Sequence, residues 1–427
     1  MGQGVLTSGF TRADGVLHCE GVAIEAVARA VGTPAYVYSS AMVRERFGHL
    51  DAALAALPHR VHYTLKANSN AGILRVLREQ GAGVDVVSGG ELYRALRAGF
   101  EGNDIIFGGV GKSESEIRAA LTAGVLLINA ESEAEVRLID RIAGTLGVHA
   151  PIGLRVNPEV TVDSSHRYIK TGEKGAKFGI PFDDVLAVAR LVAELPHVSL
   201  IGLDMHIGSQ LFRLDPYLDG AERLIGILTQ LRNDGIDTIR FLDIGGGLGV
   251  AYELEQSPDL ARFAEALVKR VAPTGLTLLM EPGRFIVGNA GMLLTRVLYR
   301  KHSGGRDFLV TDAGMTELIR PSHYDAYHRI EAVTPRGGSM VADVVGPVCE
   351  SGDFLALDRM MDDAQPGDLL AVYDVGAYGY VMASNYNTRP RGVEVLVDGD
   401  RFAIVTARER YEDLVRLELD EPEWRQG

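Results

Sequence analysis

The stretch VHYTLKANSNAGILRVLREQGAGVDVVSGGEL, residues 61–92, holds one full turn of the fold's repeat. It opens on an apolar run, VHYTLKA (61–67), rich in β-formers and too short for a core helix. A segment with apolar residues at helical spacing follows, GILRVLREQ (72–80), and runs into a glycine. A second apolar run comes next, GVDVVS (83–88). Strand, helix and strand within about 30 residues describe a parallel crossover unit. The first run also ends on a lysine. A lysine at the end of a buried strand is costly unless something uses its charge, and Lys66 is followed by Asn68 and Asn70.

The rhythm continues outward. DIIFGG (104–109), VLLINA (125–130), PIGLRVN (151–157), LIGLDMHIG (200–208), IRFLDIGGG (239–247) and LTLLMEPGR (276–284) bring the apolar runs to eight. Helical stretches separate them. SESEIRAALTAG pairs Ser113 with Glu116 in a capping box, and SEAEVRLIDRIAGTLG repeats the device with Ser132 and Glu135. DPYLDGAERLIGILTQLRNDG closes on a glycine. Strands that are apolar throughout and alternate with helices predict a parallel sheet covered on both faces. Eight such units predict an α/β fold, a closed (β/α)8 barrel over residues 36–285. The helix after the eighth run is the least distinct. A Rossmann-type sheet is the competing architecture, but GGGLG (245–249) is too short for its fingerprint.

Beyond residue 285 the pattern changes. MLLTRVLYRK, DFLVTDA, SMVADVVGPVCES, DLLAVYDVGAY, GVEVLVDG and RFAIVTAR are strands joined by short turns. They predict a mainly antiparallel β domain over residues 286–427, completed by residues 1–35.

Composition sets the bounds. A chain of 427 residues exceeds one ordinary core. With 46% hydrophobic and 23% charged residues it reads as soluble and globular. A formal net charge of −14 argues against nucleic acid as a partner. The apolar runs are far short of a membrane span, and MGQGVLTSGFTRADG lacks the pattern of a signal peptide. Cys19 and Cys349 are the only cysteines. A reducing cytoplasm, no disulfide framework and no metal site are therefore expected.

In a barrel the chemistry sits at the carboxyl ends of the strands. Those ends offer Lys66, Asp85 with Ser88, His206 with Ser209, the glycines 245–247, and Glu281 with Arg284. Each has a plain structural alternative. Lys66 could pair with Asp85, His206 could be a satisfied core histidine, the glycines could form a tight turn, and Glu281 could hold Arg284. Their convergence on one rim favours chemistry. An amine, unobstructed backbone N–H groups for a phosphate, a flat ring to stack on and a carboxylate describe a pyridoxal phosphate site. Lys66 would form the Schiff base, and Glu281 would keep the pyridine nitrogen protonated.

At YTLKAN, DVVSGGEL, IIFGG, LRVNP, YIKTGEKGAKFGI, HIGSQ, LDIGGGLG, EPGR, IRPSHYDAYH, GPVCESGD and GAYGYVMASNYN the chain resembles the fold-type III pyridoxal phosphate decarboxylases. Within them it resembles the diaminopimelate decarboxylases, in that family's motif order and over nearly its whole length. The resemblance implies that Lys66 carries the cofactor and His206 stacks on its face. It implies that Asp85, Ser209 and Gly245, Gly246 and Gly247 surround the cofactor, with the glycines at the phosphate. Glu281 matches the pyridine-nitrogen partner. Arg284, Arg320 and Tyr324 match residues at the far end of the substrate, and Tyr378 one near both phosphate and substrate. Cys349 and Glu350 match a pair that reaches the site from a neighbouring subunit. Lys66, Cys349 and His206 are thus the expected catalytic residues, in a homodimer with shared sites.

The implied substrate, meso-2,6-diaminopimelate, is an amino acid at both ends. Arg284 and Arg320 can fork onto its distal carboxylate, and Glu350 can take the distal ammonium. Cys349, followed by Glu350, is the expected acid that returns a proton. A decarboxylase for ornithine, arginine or carboxynorspermidine is the near alternative. A racemase would need opposed bases and no carboxylate-reading arginines. A regulatory paralogue would not need Lys66, Cys349 and Glu281 intact.

Overall fold

The computed structural model of the chain describes residues 9–160, 175, 177–252 and 258–425. Each of the eight apolar runs forms a strand: His59–Thr64, Gly83–Val86, Ile105–Phe107, Leu127–Ala130, Ala150–Asn157, Val198–Met205, Phe241–Asp243 and Thr277–Met280. Neighbours pair in parallel throughout, and the eighth closes on the first with Leu278 opposite His59. The two-residue strand Ile180–Pro181 adds to the fifth. Burial on both faces explains why these runs read as continuously apolar rather than alternating.

Side-chain caps place the helices. Asn70 accepts the Gly72 N–H at 2.8 Å and starts Ala71–Glu79. Ser113 and Glu116 form both halves of their capping box on Glu114–Ala123, which ends on Gly124 at φ +67°. The second box forms only by half. Ser132 accepts the Glu135 N–H, but the Glu135 carboxylate turns away to the Glu131 N–H and to Lys112. The cause is burial: the Lys112 ammonium is enclosed and needs a countercharge more than a helix end needs a second cap. After the eighth strand the helix is only Arg284–Val287. The outer layer there is filled by Ser40–Leu54, which packs on Ala71–Glu79, Leu260–Val271 and Arg284–Val287.

The chain divides into two compact units, residues 40–290 with 376–378, and residues 9–39, 291–375 and 379–425. The second unit holds a nine-stranded mixed sheet. Its path runs through Phe354–Asp362, Ser339–Val345, Arg306–Thr311, Gly291–Ser303, Ala35–Ser39, Val393–Asp398 and Arg401–Thr406. Leu369–Tyr373 pairs with both Gly291–Ser303 and Ile330–Ala332. Most pairings are antiparallel, as expected. Two are parallel: Arg306–Thr311 with Ser339–Val345, and Ala35–Ser39 with Val393–Asp398. Ala35–Ser39 is buried at every residue, because it lies between two neighbours in the middle of the sheet. Phe10–Ala13, Val16–Cys19 and Val22–Ala23 form a small separate sheet in this unit.

Candidate active site

Lys66 stands just past the first barrel strand. The chain turns there, with the Ala67 N–H donating to Thr64 O at 3.3 Å and the Leu65 N–H to Asp85 O at 3.0 Å. The two asparagines of the opening stretch fix this turn. Asn68 donates its side-chain amide to Gly376 O and accepts the Asn70 N–H, while Asn70 caps the helix. Burial by itself disfavours the Lys66 ammonium. Asp85, the Tyr378 hydroxyl and Glu281 together outweigh that and raise its pKa above the ordinary lysine value.

Around it stands a set of buried carboxylates. Asp85 is 1% exposed, and its Oδ2 has no hydrogen-bond partner. Asp204 and Asp243 lie opposite one another on the sixth and seventh strands. With Glu281 they bring one ligand oxygen each within 4.8 Å of the others. Asp243 Oδ1 accepts the Gly245 N–H at 2.9 Å and its carboxyl also meets that of Glu281, while Asp204 Oδ1 has no partner. Burial first, and then Asp243, Asp85 and Asp204, pushes Glu281 well above the usual carboxylate range. Burial likewise pushes Asp243 up to about 7. Arg155 brings a positive charge to the cluster. Burial works against it, but Asp204, Glu131 and Glu281 hold it charged, and its Nη1 donates to Glu131 at 2.8 Å.

The glycine loop has no room for side chains. A methyl on Gly245 would strike Met205 O, one on Gly246 would strike Glu281 O, and one on Gly247 would strike Gly208 O. Gly245 and Gly247 also hold φ +70° and +101°, which only glycine adopts readily. The Gly246 N–H donates to His206 Nδ1 at 3.3 Å. His206 is therefore the tautomer with an acceptor at Nδ1. Burial, then the charges of Lys66 and Arg155, keep it neutral. Arg284 donates to Ser209 Oγ at 3.2 Å and to the Tyr252 hydroxyl at 2.8 Å, and lies 4.8 Å from the Tyr378 ring centre. Tyr378 has φ +57°, and its N–H is fixed on Ala67 O at 2.8 Å. Ser88 caps Gly89–Arg97, its hydroxyl accepting the Glu91 N–H.

The barrel unit thus gathers Lys66, Asp85, His206, Ser209, Gly245–Gly247, Glu281, Arg284 and Tyr378. The donor set fits pyridoxal phosphate: an amine, cations and side-chain-free backbone for its phosphate, and orphaned buried carboxylate oxygens for a ring N–H. The three clustered carboxylates could equally seat a divalent cation, since both meet the same demand for positive charge. Asp204, Asp243 and Arg155 were not singled out from sequence. Their only signal was a charged residue inside the runs LDMH, LDIGGG and LRVN.

The remaining expected residues lie in the sheet unit. Arg320 opens the short helix Arg320–Tyr324 and is 6% exposed. His328 Nδ1 lies 2.9 Å from Tyr373 O and must donate to that carbonyl. Its Nε2 is then an acceptor and faces Arg320 Nη1 at 3.3 Å. Tyr324 is half-buried and packs edge-on against His323. Cys349 and Glu350 are exposed on the loop after Ser339–Val345, and the Cys349 N–H donates to Asn387 Oδ1 at 2.9 Å. Most of YIKTGEKGAKFGI lies outside the described residues.

Known proteins match nearly the whole chain. The family model for the pyridoxal-binding domain of pyridoxal-dependent decarboxylases matches residues 40–288. A diaminopimelate decarboxylase of Pseudomonas aeruginosa is 50% identical over 406 residues, covering 95% of this chain and 97% of that one. The crystal structure of diaminopimelate decarboxylase from Helicobacter pylori complexed with L-lysine aligns with a TM-score of 0.89 at 39% identity. It covers 92% of this chain and 99% of that one. The enzyme from M. jannaschii, also solved with L-lysine, aligns with a TM-score of 0.92 at 33% identity over 97% of this chain and 98% of that one.

Proposed function

The chain belongs to the pyridoxal-dependent decarboxylases and, within them, to the diaminopimelate decarboxylases, and we propose that Lys66 holds its cofactor while the strand ends around it and the loop at Cys349 divide the remaining work. The reaction is the loss of carbon dioxide from the D-carbon of meso-2,6-diaminopimelate, giving L-lysine, with pyridoxal phosphate as cofactor. The observation that carries the assignment is Lys66 itself, held charged at a strand end by Asp85, Tyr378 and Glu281. The direct test is release of carbon dioxide and lysine from meso-diaminopimelate by the purified protein, with ornithine and arginine as controls. Equal turnover of ornithine would move the chain to the alternative reading.

Bound here, pyridoxal phosphate supplies the sink for the electron pair that stays behind when carbon dioxide leaves. The residues do the rest. Glu281 presents its carboxylate to the ring nitrogen and keeps that nitrogen protonated. His206, neutral and anchored on the Gly246 N–H, offers a flat uncharged face. Gly245–Gly247, Ser209 and Tyr378 hold the phosphate. Arg284, tied to Ser209 and stacked near Tyr378, brings its charge to the phosphate as well as to the substrate's distal carboxylate. Arg320, Tyr324 and Glu350 hold the distal amino-acid end. Cys349 gives its thiol proton to the carbon that has lost its carboxylate, so one C–C bond is exchanged for one C–H bond.

Arg320 should carry the preference for a substrate with two amino-acid ends. His328 is locked by Tyr373 O as an acceptor toward Arg320, which aims the guanidinium. Arg320→Ala removes a charge-assisted fork worth about 1.5–3 kcal/mol, so kcat/KM for diaminopimelate should fall at least tenfold. Ornithine should gain relative to it. An unchanged ratio of the two specificities would place distal-carboxylate recognition elsewhere.

We further propose a homodimer in which the Cys349 loop serves the partner's barrel, located in the cytoplasm, where the exposed Cys349 thiol stays reduced. Among the described residues no helix is long and apolar enough to cross a membrane. The test is complementation. Lys66→Ala and Cys349→Ala chains are each expected to be nearly inactive. After mixing and subunit exchange at equal amounts, half of the dimers are hybrids. Each hybrid has one intact site, so about a quarter of the wild-type sites should return. No recovery after verified exchange would put Lys66 and Cys349 of one chain in one site.

A further inference from the structure

We propose that Asp353 is the positioning residue of the loop that presents Cys349 and Glu350, holding two backbone N–H groups with one carboxylate. The proposal rests on the assignment of the proton-returning step to that loop.

The segment GPVCESGD, residues 346–353, leaves one strand of the sheet and re-enters the next. Its two chemically active side chains are exposed, so their aim depends on how the loop backbone is held. Asp353 is only 5% exposed. Its Oδ2 accepts the N–H of Val348, the residue before Cys349, at 2.5 Å. Its Oδ1 accepts the N–H of Met315 at 2.6 Å, in the segment that leads into Arg320. One carboxylate therefore ties the Cys349 loop to the stretch carrying the expected distal-carboxylate arginine.

The backbone closes around the same residue. Asp353 O accepts the Gly346 N–H, and the Asp353 N–H donates to Glu350 O, both at 3.1 Å. A methyl on Gly314 or Gly346 would overlap the Asp353 carboxylate, so both glycines leave room for it. From the other side Asn387, at φ +54°, takes the Cys349 N–H. An ionised carboxylate is the only side chain of this size that accepts on both oxygens. An asparagine in its place would accept one N–H and turn its own NH2 against the other.

The alternative is that Asp353 only stabilises the sheet unit. Hybrid dimers of the full-length holoenzyme separate the two. Asp353→Asn should keep the cofactor's visible absorbance while kcat/KM falls about 10²-fold, the scale of a reacting group misplaced by about 1 Å. Mixed with Lys66→Ala chains, it should restore as much activity as Cys349→Ala does. Mixed with Cys349→Ala chains, it should restore none. Gly346→Ala, which presses a methyl onto the same carboxylate, should fall in the same group, and it serves if Asp353→Asn does not assemble. Near wild-type activity in both variants, or recovery with Cys349→Ala chains, overturns the proposal. A second measurement needs no shared site: the rate of Cys349 alkylation by iodoacetamide should change about threefold or more in Asp353→Asn. An unchanged rate also overturns it. Failure of the Lys66→Ala and Cys349→Ala pair to complement would strike the shared-site reading alone.

Discussion

Lys66→Ala should abolish covalent attachment of the cofactor and lower kcat by about 10⁴-fold or more, since a held amine reacts with an effective molarity of about 10⁵–10⁸ M. The wild-type protein should be yellow, with a visible band that borohydride removes. Peptide mapping after reduction should place the pyridoxyl group on Lys66. The geometry makes this specific. Among the described residues, Lys66 is the lysine raised above its ordinary pKa, with Asp85, Tyr378 and Glu281 outweighing its burial. Lys112, by contrast, is committed to Gly109 O, Asn129 O and Glu135. An added small amine should restore part of the lost rate in Lys66→Ala, because it replaces the missing nitrogen but not its positioning. A pyridoxyl label on another lysine, such as Lys170, would overturn the assignment.

Glu281→Gln should lower kcat/KM by about 10²-fold or more, because removing one partner of a buried ion pair costs about 3–5 kcal/mol. The same change should act oppositely on the protein stripped of cofactor. There, burial and the neighbouring Asp243, Asp85 and Asp204 raise the folded-state pKa of Glu281, and Asp243 is raised from 3.8 to about 7. A carboxylate whose folded pKa is raised binds more protons folded than unfolded. Its contribution is therefore fully present below the unfolded pKa, and it is lost as pH rises through the folded value. The stripped wild type should lose stability as pH rises from about 4 to about 7. Glu281→Gln, with one carboxylate fewer, should lose less. Melting temperatures of both proteins across that range decide it, and parallel curves would mean that the cluster holds no strained charge.

Much of the molecule was legible in one dimension. The eight strands follow from short apolar runs spaced by helical periodicity, and those patterns depend only on neighbours along the chain. The same holds for the Ser113 cap and for the glycines at 245–247, whose backbone angles and close packing tolerate nothing larger. Tertiary structure decided what lies across strands. Asp204 and Asp243 face each other because the sixth and seventh strands pair in one register, and nothing local in LDMH or LDIGGG says which acid will meet Glu281. Glu135 abandons its capping box for the buried Lys112, which comes from the loop of the preceding strand–helix unit. Ser40–Leu54 takes the outer place left by the four-residue helix after the eighth strand, and Ala35–Ser39 becomes a central strand between Gly291–Ser303 and Val393–Asp398. Asp353 closes a loop on a segment that begins far earlier in the chain. For Glu135, Ala35–Ser39 and Asp353 the deciding energy is that of a buried charge or a buried backbone group finding a partner distant in sequence. Such a partner exists only once register and closure are set.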